Sequence, residues 1–330
     1  MEKLSIRRRR VATHFFLLHA VIALTSLPST AQLPPAEPLN QLAGTAILFD
    51  AGYVWVSSGL SNRVVRLSAD DGKVAGSYPV GEVPLGLASD GENIWVANSG
   101  DATVTKLRAT DGKALGVFEA GVKPVALLVA HNYLWVSDRD AGAVRKLRTS
   151  DGKTVATYGV GGSPTALATD GQNIWVLNPS SGSLTKLLAS SGENLGNFPA
   201  GSAPSSLVYD GTNLWVASDE NGALMKLSPR DCTVLARYHV AEHASQLLFD
   251  KTNFWISDRF NSILVHVRPQ DGAVLNSVSS VGRSEALAYD GSNVWVADEG
   301  RTYIAKLDAT TGKMLGIFGL LPPPPSTPKE

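Results

Sequence analysis

Glu242 and His243 stand side by side in the stretch HVAEHASQ, and no other histidine of the chain has an acidic neighbour. A carboxylate beside an imidazole is enough to move a proton, and a neutral imidazole also ligates metal ions. The chain around this pair is charged as well. Asp219, Glu220, Asp258, Arg259, Arg283, Glu285, Asp298, Glu299 and Arg301 interrupt a sequence that is otherwise regular, and Lys123, Asp138 and Arg139 interrupt it earlier. Such charges equally make the solvated rim of a protein that binds rather than catalyses. Residue types alone leave both readings open.

Other chemistries fail on inventory. The sequence has no phosphate-cradling glycine loop, no nucleophile elbow and no zinc-ligand spacing. Beyond residue 31 the histidines are His131, His239, His243 and His266, at unrelated places in the pattern, so copper clusters and haem ligation have little to work with. Cys232 is the single cysteine and cannot form an internal disulfide. It stands where related turns have glycine, which predicts an exposed thiol without an activating neighbour.

The elements that position these residues follow from a period of 40, marked by Trp55, Trp95, Trp135, Trp175, Trp215, Trp255 and Trp295. DGENIWVANS, from Asp90, returns as DGQNIWVLNP from Asp170 and as DGSNVWVADE from Asp290. A period near forty, repeated seven times, is the mark of a propeller or solenoid. In the second unit, strands are predicted over 86–89, 94–98, 103–108 and 114–120, with the turn dipeptides Asp90-Gly91 and Asp111-Gly112 between them. The run Ile94-Trp95-Val96-Ala97 is apolar without alternation, so both faces of that strand must be covered, as stacked blades cover them. The expected fold is therefore all-β, a seven-bladed β-propeller over 41–320 with four antiparallel strands per blade. With a first strand at 45–49 and a fourth at 314–320, each blade is built from consecutive residues and no strand is exchanged to close the ring. Function in such a ring sits on the loops from second to third strand and from each fourth strand to the next blade, where the pattern-breaking charges fall.

Three further columns have structural readings. Arg66, Lys106, Lys146, Lys186, Lys226, His266 and Lys306 recur opposite the tryptophans, because pairing Asn98 with Thr103 also pairs Trp95 with Lys106. Each cation is expected to lay its stem on the indole, with its head toward solvent or a carboxylate, a contact of about 0.5 to 1 kcal/mol. Asp50, Asp90, Asp170, Asp210, Asp250 and Asp290, interrupted by Ala130, precede turns and are expected to bond their own backbone. Pro84, Pro124, Pro164 and Pro204 mark strand entries between blades.

The unit DGxNIWVaNxxxxTVtKLrxsDGkxlgxfxvGxxP resembles the YVTN-type repeats of bacterial propellers, and is similar to the wider group that includes streptogramin lyase and the NHL-repeat proteins. The resemblance covers nearly all of the repeat region and implies the propeller fold. Streptogramin lyase works with a histidine, glutamates and a magnesium ion on the loop face, so the resemblance offers Glu242 and His243, with Glu285, as general base and metal ligands. That family's closely spaced Glu and His within one strand has no counterpart here, and His266 belongs to the cation column.

The ends differ in composition. Lys3 and Arg7, Arg8, Arg9 and Arg10 precede an apolar run over 11–27 and the small residues of Pro28-Ser29-Thr30-Ala31, which predicts a signal peptide over 1–31 and an exported chain, periplasmic or secreted. Pro-rich stretches predict a linker over 32–40 and a tail over 321–330. Removing 1–31 turns 29 basic and 30 acidic residues into 24 and 29, which argues against a nucleic-acid partner. No stable membrane insertion is expected after cleavage. The expectation is a monomeric, non-catalytic binding or scaffolding module for a protein or glycan partner, without a cofactor. The second reading is a magnesium-dependent lyase or hydrolase.

Overall fold

The computed structural model describes residues 44–280, 283–298 and 303–319. The signal peptide, linker and tail expected from the sequence lie outside the described residues, as do Glu299, Arg301 and the side chain of Glu285. The described chain forms seven four-stranded antiparallel sheets, each from consecutive strands. First strands line the centre. That of the first blade (Gly44–Asp50) touches the first strands of blade two (Pro84–Ser89) and blade seven (Ser284–Tyr289). The ring therefore closes with no strand exchanged, and the seven-bladed β-propeller expected from the repeat is the observed fold.

Blade two shows why the sequence folds this way. Gly91 takes φ +88°, a left-handed conformation open to glycine, and this lets Asp90 Oδ1 accept the backbone N–H groups of Glu92 and Asn93. The strand that follows, Asn93–Asn98, is buried at every position. Thr103–Arg108 then pairs with it in the expected register, Asn98 opposite Thr103 and Trp95 opposite Lys106. In every blade the pairing of third with fourth strand slips just after the cation column, a bulge that adds local twist. Pro84, Pro124 and Pro204 open their strands, and Pro164 lies just before Ala166–Thr169.

The core lies between blades. Trp95 packs against Leu134, Val136 and Leu147 of blade three, and Trp295 against Ile47, Val54 and Leu67 of blade one. All seven tryptophans have 0% exposure. At roughly 200 Å² and 25 cal/mol per Å², each contributes about 5 kcal/mol as an upper bound, several times a cation–π contact. Apolar packing holds neighbouring blades together, and the polar columns set their register.

Two of those columns do more than the sequence suggested. Asp90, Asp170, Asp210, Asp250 and Asp290 bond their own turn backbone as expected, whereas Asp50 accepts from Ser89 Oγ of blade two at 2.7 Å. Asp90, Asp170, Asp210 and Asp290 also accept the indole N–H of Trp95, Trp175, Trp215 and Trp295 at 2.6–2.9 Å. The lysines and Arg66 lie 4.8–5.4 Å from their tryptophan ring centroids, also as expected. Five of the heads, however, go neither to solvent nor to a carboxylate. They cross to backbone carbonyls of the next blade: Arg66 to Ala109 and Thr110, Lys106 to Thr149, Lys146 to Ala189 and Ser190, Lys186 to Pro229 and Arg230, and Lys306 to Ala69. The next blade's outer turn brings carbonyl oxygens closer than any acid, and an ammonium there satisfies acceptors that packing has removed from water.

Cys232 is likewise not the exposed thiol expected. It is buried with φ +56°, among Trp175, Leu227 and the partly buried Phe198. Its turn is tucked under the outer strand of the preceding blade. The equivalent Gly112 and Gly152 would collide there, given a Cβ, with Tyr78 and Phe118.

Candidate functional site

Among the described residues, the charged residues singled out from the sequence gather at one end of the ring, and around blades five and six they form one bonded cluster. Asp219, in the loop after Leu214–Ser218, accepts from Ser245 Oγ at 2.8 Å through Oδ1 and from Arg259 Nη2 at 3.0 Å through Oδ2. Its backbone carbonyl is 2.7 Å from His243 Nδ1. A carbonyl can only accept, so Nδ1 bears the proton and Nε2 is the lone-pair nitrogen of the neutral ring.

Asp258 ends the strand Phe254–Asp258 with 0% exposure. It accepts from His243 N at 3.1 Å, Asn261 N at 3.0 Å and Asn261 Nδ2 at 2.9 Å. Burial pushes this carboxyl up, but the donors from Asn261 and His243 outweigh it and hold Asp258 below the ordinary carboxylate range. The last residue of the second strand is buried in every blade, as Ser58, Asn98, Asp138, Asn178, Ser218, Asp258 and Asp298. Asp138 and Asp258 brace the incoming connection of their own blade in the same way, Asp138 through Val122 N and Lys123 N.

Phe260 stands over this scaffold and was not picked out from the sequence. Its ring is 52% exposed. The His243 ring lies 4.5 Å away, and the guanidinium groups of Arg259 and Arg283 lie 5.1 and 5.9 Å from its centroid. The available signal was its column, where Gly100, Asp140, Ser180 and Glu220 hold the equivalent loop tips of other blades and blade one carries the exposed Leu60, so that Phe260 is the aromatic among them. An aromatic at such a tip is out of place unless something covers it.

Other expected residues lie at the edge of the cluster or outside it. Glu242 is exposed and its Oε2 accepts from Asn261 Nδ2 at 3.0 Å, so the adjacent acid and imidazole do not pair with each other. Glu220 is exposed and accepts from Ser202 Oγ. In blade three, Asp138 pairs with Arg145 at 3.1 Å, while Lys123 and Arg139 both reach Asp140, a set closed on itself. Among the described residues no three His, Cys, Asp or Glu side chains converge as a metal site would require, and the Glu285 side chain and Glu299 lie outside them, so the described residues by themselves do not make the magnesium site that the lyase resemblance implies. Among the described residues, grooves of about 680, 780 and 570 Å³ lie between adjacent blades at the other end of the ring.

Seven blades of consecutive strands, with a polar rim and no inserted domain among the described residues, define the class: a seven-bladed β-propeller. No protein-family model matches the chain, and no curated protein matches it. Solved structures do. Hydrazine synthase of Kuenenia stuttgartiensis superposes with a TM-score of 0.71 at 14% identity, over 87% of this chain and 99% of that one. A streptogramin B lyase gives 0.71 at 16%, over 81% and 93%. Virginiamycin B lyase from Staphylococcus aureus gives 0.68 at 15%, over 79% and 94%, and a catalytically inactive histidine-to-alanine variant of it was solved with quinupristin. At these identities the likeness is one of fold.

Proposed function

We propose that the protein is a non-catalytic binding module that captures a protein or glycan partner on the loop face of blades five to seven. Phe260 carries this reading. A half-exposed aromatic ring flanked by Arg259, Arg283 and His243 matches the composition of interface hot spots. Two of its flanks are held through Asp219, Arg259 by the carboxylate and His243 by the backbone carbonyl, so little of their side-chain freedom is lost when a partner arrives. Asp219 and Glu220 extend the polar rim of the proposed surface, with Glu299 and Arg301 assigned to it from the sequence, while Asp258 and Asp298 are buried and act only as its supports. The basic, apolar start of the chain supports export to the periplasm or beyond, where the mature protein would act as a monomer.

The test is affinity capture from exported fractions, together with a glycan panel, using the unaltered chain, Phe260→Ala and the charge reversal Arg259→Glu with Arg283→Glu. A partner kept by the unaltered chain and lost by both variants supports the surface. Equal retention by the variants overturns it.

A second reading, a lyase or hydrolase centred on His243 with Glu242 and Glu285, draws on the fixed Nδ1 proton, which leaves Nε2 to act as a base. It predicts activity on a streptogramin such as quinupristin that is lost in His243→Ala. Undiminished turnover by that variant removes it.

A further inference from the structure

Blade six lacks the cation that five other blades, one to four and seven, pass to the next blade. His266 stands in that column with 3% exposure, its ring 4.3 Å from Trp255 and 7° from parallel. Neither ring nitrogen has a hydrogen-bond partner, and Asp250 Oδ2, at 3.8 Å from Nε2, is beyond hydrogen-bond reach. In sibling blades a longer side chain delivers an ammonium to the next blade's outer turn, as Lys146 does to Ala189 O and Ser190 O. The matching residues here are Ala309 and Thr310. Both line, with Asp250, His266, Asn276 and Asp308, the groove of about 570 Å³ between blades six and seven.

The equivalent groove between blades two and three shows what has changed. There Lys106 and Arg148 occupy the places of His266 and Asp308. Two permanent cations are thus replaced by an imidazole and a carboxylate, and the wall becomes rich in acceptors. Asn276 donates Nδ2 to Thr311 O at 3.2 Å, while its Oδ1 is buried without a partner. Asp308 uses Oδ1 for all three bonds to its own turn. Buried acceptors and an unpartnered imidazole cost free energy unless a donor reaches them.

We propose that this groove binds a small organic cation carrying a primary ammonium group. The ammonium takes the place held between other blades by the lysine Nζ, donating to the Ala309 and Thr310 carbonyls and facing Asp250. The N–H donors are essential, because carbonyl and amide oxygens are what the site offers. A bare metal ion suits it poorly, since no three His, Cys, Asp or Glu side chains converge among the described residues. The groove opens on the end of the ring opposite the Phe260 rim, so the site is independent of the binding face proposed above.

The experiment titrates the full chain with propylammonium chloride, and with tetramethylammonium chloride at equal ionic strength, reading the imidazole resonances of His266 and the thermal midpoint. Propylammonium is expected to shift both saturably, and tetramethylammonium, with no N–H, to shift neither. His266→Lys, which supplies the side chain that sibling blades already accommodate, is expected to raise the midpoint of the free protein and to abolish the response. An equal response to the two salts, a response that survives in His266→Lys, or no saturable shift in the unaltered chain each overturns the proposal.

Discussion

Lys306 Nζ donates to the backbone carbonyl of Ala69 at 2.6 Å across 237 residues of sequence, fastening the last blade to the first. The same side chain lies 5.0 Å from the Trp295 ring centroid, and Trp295 itself is buried against blade one. Closure of the ring is thus one more copy of the contact that joins blades one to two, two to three, three to four and four to five, made where no chain connects the blades.

Lys306→Ala should therefore differ from Lys106→Ala in kind. Each removes one charge-assisted hydrogen bond, about 1.5 to 3 kcal/mol, and one cation–π contact of about 0.5 to 1 kcal/mol. Only Lys306→Ala weakens the seam, so hydrogen exchange should accelerate selectively in blades one and seven, while Lys106→Ala lowers stability without that pattern. Unchanged exchange at the seam would mean that Trp295 packing closes the ring alone.

Acid should loosen the blades through their turn aspartates. Burial pushes Asp90, Asp170 and Asp290 up, yet bonds from the indole, from the asparagine three residues on and from backbone N–H groups outweigh it and hold all three below the ordinary value. A folded-state pKa depressed below the unfolded value of about 3.9 stabilises fully above about pH 5, and that contribution is lost as pH falls through the folded values. The urea midpoint of the unaltered chain should drop steeply below pH 4, roughly where unfolded carboxylates take up protons. Asp90→Asn should be less stable at pH 7 and show a shallower acid slope.

Much of this was legible in the sequence. The tryptophan spacing and the Asp-Gly turns define blades and strands, and pairing Asn98 with Thr103 places Lys106 on Trp95. The destination of the lysine head was not legible, because its acceptors lie one period plus three or four residues away, and a strict repeat looks the same whichever neighbouring blade is faced. Phe260 was missed for a related reason. Hydrophobic periodicity reports what is inside, whereas the rim depends on how loops from separate repeats converge.

Cys232 was misjudged from turn chemistry alone, and its true setting makes a kinetic prediction. Burial pushes its thiol up to about 12. At pH 8 almost none is thiolate, and the side chain is enclosed, so a disulfide reagent should label native protein only as fast as local unfolding permits. Added urea should accelerate labelling by orders of magnitude. Immediate native labelling would contradict the packing of this turn against blade four.

Blade three offers the opposite kind of change, one that should gain stability. Ala130 interrupts the aspartate column, and Trp135 Nε1 is buried without a hydrogen-bond partner. In Asp90, Asp170, Asp210 and Asp290 a carboxylate at this position meets the indole N–H at 2.6–2.9 Å. Ala130→Asp supplies that acceptor, and its second oxygen can take backbone N–H groups of the turn. The turn differs from its siblings, with His131 and Asn132 both at positive φ, so the gain should be that of one net hydrogen bond, about 0.5 to 1.5 kcal/mol. In a chain of this size that is a rise of roughly 2 °C in thermal midpoint, accompanied by a downfield shift and slower exchange of the Trp135 indole proton. A fall in the midpoint with the indole proton unmoved would show that the His131-Asn132 turn holds position 130 too far from the ring, and that an aspartate reaches the indole only with the Asp-Gly turn that accompanies Asp90, Asp170, Asp210 and Asp290.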